Sequence, residues 1–209
     1  MELAALAQRL EMLQPLPLGY LPTPLGPLLR LSQALGGPEV WIKRDDLTGL
    51  VNRLSLIERM EQILRESRRT GDQHAVLYCD VDYFKEINDT YGHAIGDDVL
   101  RTIATRIRGT VRERDVVARL GGDEFVVVLH GVRGAADAEA VAGKIRAAMS
   151  APLMVDGLDL SRSFSIGVAM VRPDSTPDRV LRDADAALYE AKEAGRDRII
   201  THRVVGAPD

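Results

Sequence analysis

Two apolar runs meet at a pair of glycines. Val116-Val117-Ala118-Arg119 and Phe125-Val126-Val127-Val128-Leu129 flank Leu120-Gly121-Gly122-Asp123-Glu124. Runs this rich in valine fit strands, and glycine reaches the backbone conformations that a tight reversal needs. The segment therefore reads as a β-hairpin, and a hairpin needs further strands or helices to be stable in water.

The chain after residue 45 supplies both. Helices are predicted over about residues 54–69, 97–108 and 137–149. Ile57, Met60 and Leu64 share a face of the first, and Val99, Leu100, Ile103 and Ile107 point inward from the second. A buried strand is predicted over about residues 74–80 and others over 164–170 and 198–201. A last helix starts at Thr176, a good N-cap followed by Pro177, and stops near Gly195. Strands alternating with helices predict an α/β sandwich, a central sheet flanked by helices.

The front of the chain differs. Leu3, Leu6, Leu10 and Leu13 fall on one helical stripe within residues 1–14. Pro15, Pro17, Pro22, Pro24, Pro27 and Pro38 then exclude one continuous helix. Residues 1–44 are expected to be a non-catalytic helix and Pro/Leu-rich segment, and residues 45–209 a domain. No apolar run reaches the ~20 residues needed to cross a membrane. The start of the chain has Glu2 and no basic stretch, so a signal peptide is not expected. Cys79, the one cysteine, allows no internal disulfide and suits a reducing cytoplasm as a small core residue. A net charge of −4 argues against general nucleic-acid binding.

Chemistry gathers where strands end. Asp80 and Asp82 close an apolar strand, and Asp123 and Glu124 sit on the hairpin. Carboxylates from two segments held together suit one or two Mg²⁺ ions, with phosphate and water filling the remaining positions. Either pair alone reads as solvated turn acids. The glycines favour the site, because Gly121 and Gly122 let the backbone approach a ligand. A short helix starting after Tyr83 and Phe84 would aim free N–H groups at phosphate, with Lys85 adding charge. Asn88 and Asp97 can together pair with the edge of guanine. Taken singly, they read as a turn residue and a helix cap. Lys192 and Arg196 read as complements of a helix dipole or as a phosphate clamp.

Five motifs in order resemble the GGDEF domains of diguanylate cyclases. Asp45-Asp46-Leu47-Thr48-Gly49-Leu50-Val51-Asn52-Arg53 is similar to DxLTGLxNR. Asp80-Val81-Asp82-Tyr83-Phe84-Lys85-Glu86-Ile87-Asn88-Asp89 is similar to DxDxFKxxND. Gly92-His93-Ala94-Ile95-Gly96-Asp97 matches GHxxGD, and Gly121–Phe125 is the signature loop. Tyr189-Glu190-Ala191-Lys192-Glu193-Ala194-Gly195-Arg196-Asp197 is similar to YxAKxxGRN, departing at Asp197. The resemblance implies a sheet like that of nucleotide cyclases and polymerase palms. It implies that two GTP molecules are joined into cyclic di-GMP with Mg²⁺ or Mn²⁺, across a homodimer. Asp80, Asp123 and the Val81 carbonyl would bind metal, and Glu124 would lie beside the reacting sugar. Asn88 and Asp97 would hold guanine. Lys85, Lys192, Arg196 and the backbone at Tyr83 and Phe84 would hold phosphates, with Asp82 behind them. Arg112 and Asp115 match the RxxD site at which the product inhibits the enzyme; a charged surface turn is the plainer reading.

Residues 16–50 also resemble the start of pyridoxal-phosphate enzymes of the D-cysteine desulfhydrase and ACC deaminase group. Leu21-Pro22-Thr23-Pro24-Leu25 and Trp41-Ile42-Lys43-Arg44-Asp45-Asp46-Leu47-Thr48-Gly49 carry the likeness. Both families claim residues 45–50, which suggests a fusion junction. That group's cofactor lysine follows in a glycine-asparagine-lysine segment, where this chain has Val51-Asn52-Arg53, so pyridoxal chemistry is excluded. Besides the cyclase, two readings remain: a silent cyclic di-GMP receptor using Arg112 and Asp115, and a dimerisation module needing no nucleotide.

Overall fold

The computed structural model describes residues 25–27 and 41–202. The helix expected over residues 1–14 lies outside them, as does most of the proline-rich stretch. At the front, β1 (Leu25–Pro27) pairs antiparallel with β2 (Trp41–Lys43), apart from the main sheet. Then follow α1 (Arg53–Thr70), β3 (Gln73–Val81), α2 (Phe84–Tyr91), α3 (His93–Thr110), β4 (Val116–Gly121), β5 (Glu124–Val132) and α4 (Ala135–Met149). The chain continues with β6 (Leu153–Val155), β7 (Leu158–Leu160), β8 (Phe164–Met170), α5 (Pro177–Glu193) and β9 (Ile199–Thr201).

The main sheet has the order β4-β5-β3-β8-β9. Its neighbours are antiparallel except β8 and β9, which run parallel. Strand β3 lies at the centre and is buried on both faces, which is why its sequence is a continuous apolar run rather than an alternation. Leu77, Cys79, Phe125, Val127, Ile166 and Val168 point to one side, against Ile103 and Ile107 of α3 and Ala142 and Ile145 of α4. Val76, Tyr78, Val126, Val128 and Ala169 point to the other, against Leu56, Met60 and Leu64 of α1 and Val180, Ala184 and Leu188 of α5. Each fully buried aliphatic side chain contributes about 1.5–3 kcal/mol of transfer free energy. The α/β sandwich expected from the sequence is the observed one.

Local chemistry sets the ends of the elements. Ser55 N–H donates to the N-cap Asn52 Oδ1 at 3.0 Å, and α1 stops at Gly71 in the left-handed region. At α5, Arg179 N–H donates to Thr176 Oγ1 at 3.3 Å.

Three details differ from the expectation. Ile57 is half-buried, because Leu56 and Ile63 take the deeper places on α1. Helix α3 begins at His93, not near Asp97, because the α2 break at Gly92, φ 84°, is followed at once by a new helix. Asp97 therefore stands inside α3 and caps nothing. The β6–β7 hairpin was not anticipated. Its signal is Asp156-Gly157 between apolar residues, with both at positive φ (50° and 78°) as a two-residue hairpin turn requires.

Candidate active site

The site lies where the carboxyl end of β3 meets the β4–β5 turn, the start of α2 and the end of α5. Asp80 pairs across the sheet with Glu124, so the strand register itself brings these acids side by side. Asp123 sits in the turn next to them. Gly122 takes φ 50°, where a side chain would be strained, and a Cβ there would meet open space. Glycine thus serves the turn's conformation and leaves room above it.

The electrostatics of Asp80 reflect this crowding. Asp80 is 7% exposed. Burial pushes its carboxyl up to about 6; Lys192 opposes the rise, and Asp123 and Asp82 add to it. Lys192 Nζ lies 2.8 Å from Asp80 Oδ2. Glu124 acts on Tyr78, whose hydroxyl is pushed up first by burial and then by the Glu124 charge.

Asp82 has a different task. It is 1% exposed and accepts from Ser163 Oγ at 2.6 Å, Ser165 Oγ at 2.7 Å and Asp197 N–H at 3.1 Å. Its oxygens tie β3 to β8 and to the loop after α5. That loop carries Arg196 and Asp197 at left-handed φ of 60° and 46°. Asp197, where the motif has asparagine, is held by Arg146 Nη1 at 2.8 Å. Arg196 then lies over the Tyr83 ring, 4.9 Å from its centroid, a cation–π arrangement.

Tyr83 itself is left-handed, φ 59°, and starts α2 with no side-chain cap, so backbone N–H groups face outward there. Phe84 is buried beneath, and Lys85 is exposed. The Asn88 amide lies against Gly96, the residue before Asp97. A Cβ built on Gly96 would overlap Asn88 Oδ1. This close approach brings Asn88 beside the α3 turn that bears Asp97.

No group of three His, Cys, Asp or Glu side chains among the described residues closes around a metal position. The donors present are the Asp80 and Asp123 carboxylates and the Val81 carbonyl. Two crowded carboxylates with an elevated Asp80 fit a hard divalent cation whose other positions are taken by phosphate and water.

Arg112 and Asp115 stand elsewhere, in a groove of about 390 Å³ between α3, β5 and α4. Asp115 is 6% exposed and accepts from Arg112 N–H at 2.9 Å and His130 N–H at 3.0 Å. Its carboxylate thus shapes the turn, while the Arg112 side chain is exposed. Arg133 and Lys144 also line this groove, two cations that the sequence reading did not single out.

One structural anchor was visible only as a motif letter. Asp45 accepts from Thr48 N–H at 2.8 Å, Thr48 Oγ1 at 2.6 Å and Arg119 Nη1 at 3.0 Å. Burial raises its carboxyl, but these bonds prevail and hold it below the usual range. The pair ties the segment before α1 to β4, where Arg119 N–H also donates to Val51 O at 2.9 Å.

Comparison with known proteins gives a consistent result. The family described as "Diguanylate cyclase, GGDEF domain" matches residues 42–198. The diguanylate cyclase TpbB of Pseudomonas aeruginosa is 49% identical over 154 residues, 73% of this chain and 35% of that protein. The response regulator PleD of Caulobacter vibrioides is 39% identical over 160 residues, 75% of this chain and 35% of its own length. This chain thus spans about a third of those relatives. The solved GGDEF domain of TpbB superposes with a TM-score of 0.73 at 46% identity, covering 75% of this chain and 99% of that one. The GGDEF domain of DgcB from Caulobacter crescentus, solved in complex with c-di-GMP, has a TM-score of 0.72 at 30% identity, covering 76% and 95%.

Proposed function

The chain belongs to the GGDEF-domain diguanylate cyclase family, and on that premise we propose that it condenses two GTP molecules into cyclic di-GMP. In each of two steps the 3′-oxygen of one GTP bonds to the α-phosphorus of the other. The bond from that phosphorus to the β-phosphate bridge breaks, pyrophosphate leaves, and the hydroxyl proton passes to solvent or a carboxylate.

One observation carries the reading: the strand register sets Asp80 opposite Glu124 with Asp123 in the adjoining turn, and burial, with the Asp123 charge adding to it, pushes Asp80 up to about 6. Such a pair is costly without a cation, and a bound Mg²⁺ or Mn²⁺ would supply Lewis-acid activation of the hydroxyl and neutralise phosphate charge. Asp80, Asp123 and the Val81 carbonyl would hold it. Glu124, opposite Asp80 in the register, stands where it can orient the ribose hydroxyl. The N–H groups at Tyr83 and Phe84, with Lys85, Lys192 and Arg196, hold the phosphates. Asn88 and Asp97 hold guanine, and Gly96 leaves space for the amide. Asp82 positions Arg196 through the Asp197 backbone.

Each domain holds one GTP, so the reaction needs a homodimer, and Arg112 with Asp115 marks a product-inhibition site. Residues 1–44 serve as a non-catalytic appendage whose likeness to pyridoxal-phosphate enzymes brings no cofactor chemistry. No described helix is long and apolar enough to cross a membrane; the cytoplasmic setting is proposed from Cys79, the one cysteine, which is free and buried.

The test is purified protein with GTP and Mg²⁺, followed by chromatography for cyclic di-GMP. Asp123→Ala is expected to lower turnover on the order of 100-fold or more. Absence of product from the parent at every protein concentration would refute the cyclase.

A further inference from the structure

The loop that presents Arg196 runs through an unusual stretch of backbone. Gly195, Arg196 and Asp197 take φ of 109°, 60° and 46° in succession. Glycine reaches this region freely, but the two residues after it do so at a cost, and such a conformation persists only where neighbours hold it. Arg196 N–H donates to Ala191 O at 3.0 Å, closing the end of α5. Arg198 Nε donates to Arg196 O at 2.9 Å. Asp197 N–H donates to Asp82 Oδ2 at 3.1 Å. From the opposite side, Arg146 Nη1 donates to Asp197 O at 2.7 Å and to Asp197 Oδ1 at 2.8 Å.

The two bonds from Arg146 act differently. The first fixes the carbonyl of the residue directly after Arg196. The second neutralises a carboxylate that the asparagine of the family motif would not carry. Left unpaired, that carboxylate would stand one residue from Arg196. It would draw the guanidinium away from the Tyr83 ring, where Arg196 lies 4.9 Å from the centroid, and would repel a triphosphate.

Helix α4 is well placed to supply this cation. Arg146 follows Glu139 by about two turns on the same face. Glu139 Oε1 accepts from Thr201 Oγ1 at 2.6 Å. One face of α4 thus grips both Asp197 and the end of β9, so the position of Arg146 is set by the packing of the helix.

We propose that Arg146 is a positioning residue for the phosphate clamp: by fixing and neutralising Asp197, it keeps Arg196 over Tyr83 and free to take phosphate oxygens. An acid at position 197 thereby calls for a cation at position 146. The role rests on the reading that Arg196 holds phosphate. The Arg146 and Asp197 side chains are 38% and 52% exposed, so solvent screens the pair and its effect on affinity is modest.

Isothermal titration calorimetry of the full chain with Mg²⁺ and α,β-methylene-GTP tests this, because that analogue cannot release pyrophosphate and reads binding without turnover. Arg146→Ala is expected to weaken binding about three- to fivefold. One nitrogen makes both bonds to Asp197, so Arg146→Lys is expected to stay within about twofold of the parent. Adding Arg146→Ala to Asp197→Asn is expected to cost less than about twofold relative to Asp197→Asn itself, since no acid is then left unpaired. An equal cost of Arg146→Ala in both backgrounds would reduce the effect to a general loss of positive charge and overturn the proposal. No rescue by lysine, or no binding of the analogue by the parent, would overturn it as well. A parent that makes cyclic di-GMP while Arg146→Ala binds the analogue at the parental Kd would sink the role of Arg146 and leave the cyclase standing. The expected pattern of binding without any product from GTP would uphold Arg146 and refute the cyclase.

Discussion

Gly96 shows how much one missing methyl group can settle. In a helix interior, alanine in place of glycine normally stabilises by about 0.5–1 kcal/mol. Here the added Cβ would overlap Asn88 Oδ1, so the amide must turn away from its place. Gly96→Ala is therefore expected to leave folding near parental while raising the KM for GTP about tenfold, the worth of roughly one lost hydrogen bond. Steady-state kinetics checks this, and an unchanged KM would remove Asn88 from guanine recognition. The letters at 88, 96 and 97 were legible as a motif. Only the packing of α2 on α3 shows that the glycine exists for the asparagine. Asp82 teaches the same lesson from the other side. By letters it ranks with Asp80, yet its oxygens are used by two serines and a backbone N–H.

Two junctions between elements make further predictions. Where β8 crosses α5, a Cβ on Gly167 would overlap the Ala184 carbonyl and the Leu188 nitrogen. Overpacking of this kind costs about 1–3 kcal/mol. Gly167→Ala is expected to lower the urea midpoint and, because α5 carries Lys192, to raise the KM for GTP in the same variant. At the other end of the sheet, His74 and His130 meet edge to face with ring centroids 5.5 Å apart. Burial lowers both; the charges of Asp72 and Asp115 work against it without overcoming it. His130 lies 3.9 Å from Asp115 but is thus no ion pair at neutral pH. A histidine lowered in the folded state protonates first in the unfolded chain, so stability is present above about pH 6.5 and declines as pH falls below it. Asp80, raised to about 6, acts in the opposite sense between about pH 6 and 4. Urea midpoints at pH 7.5 and 5.5 separate the two: His74→Gln/His130→Gln is expected to lose less stability on acidification than the parent. An equal loss would show that the histidines do not govern it.

At the scale of the whole molecule, the proposed function makes a site for one GTP half of a reaction centre. Specific activity is expected to rise with protein concentration and to approach zero at high dilution, and this can be read from initial rates over a dilution series. Repeating the series without residues 1–44 measures whether that segment assists pairing; activity independent of concentration would contradict the shared site. The sequence alone determined the order of the main-sheet strands and their flanking helices, though not the β6–β7 hairpin, together with the central apolar strand and the Gly121-Gly122 reversal, because burial periodicity and turn geometry act over a few neighbouring residues. It also identified Asp80, Asn88, Asp97, Asp123, Lys192 and Arg196 as a recurring set. Tertiary structure alone decided that Asp80 faces Glu124 and Lys192, that Asp82 is a hub, that Arg146 holds Asp197, and that Arg119 clamps Asp45. Those facts depend on strand register and on helices meeting across the sheet. Such contacts join residues as much as 115 positions apart, as between Asp82 and Asp197, and no local pattern records them.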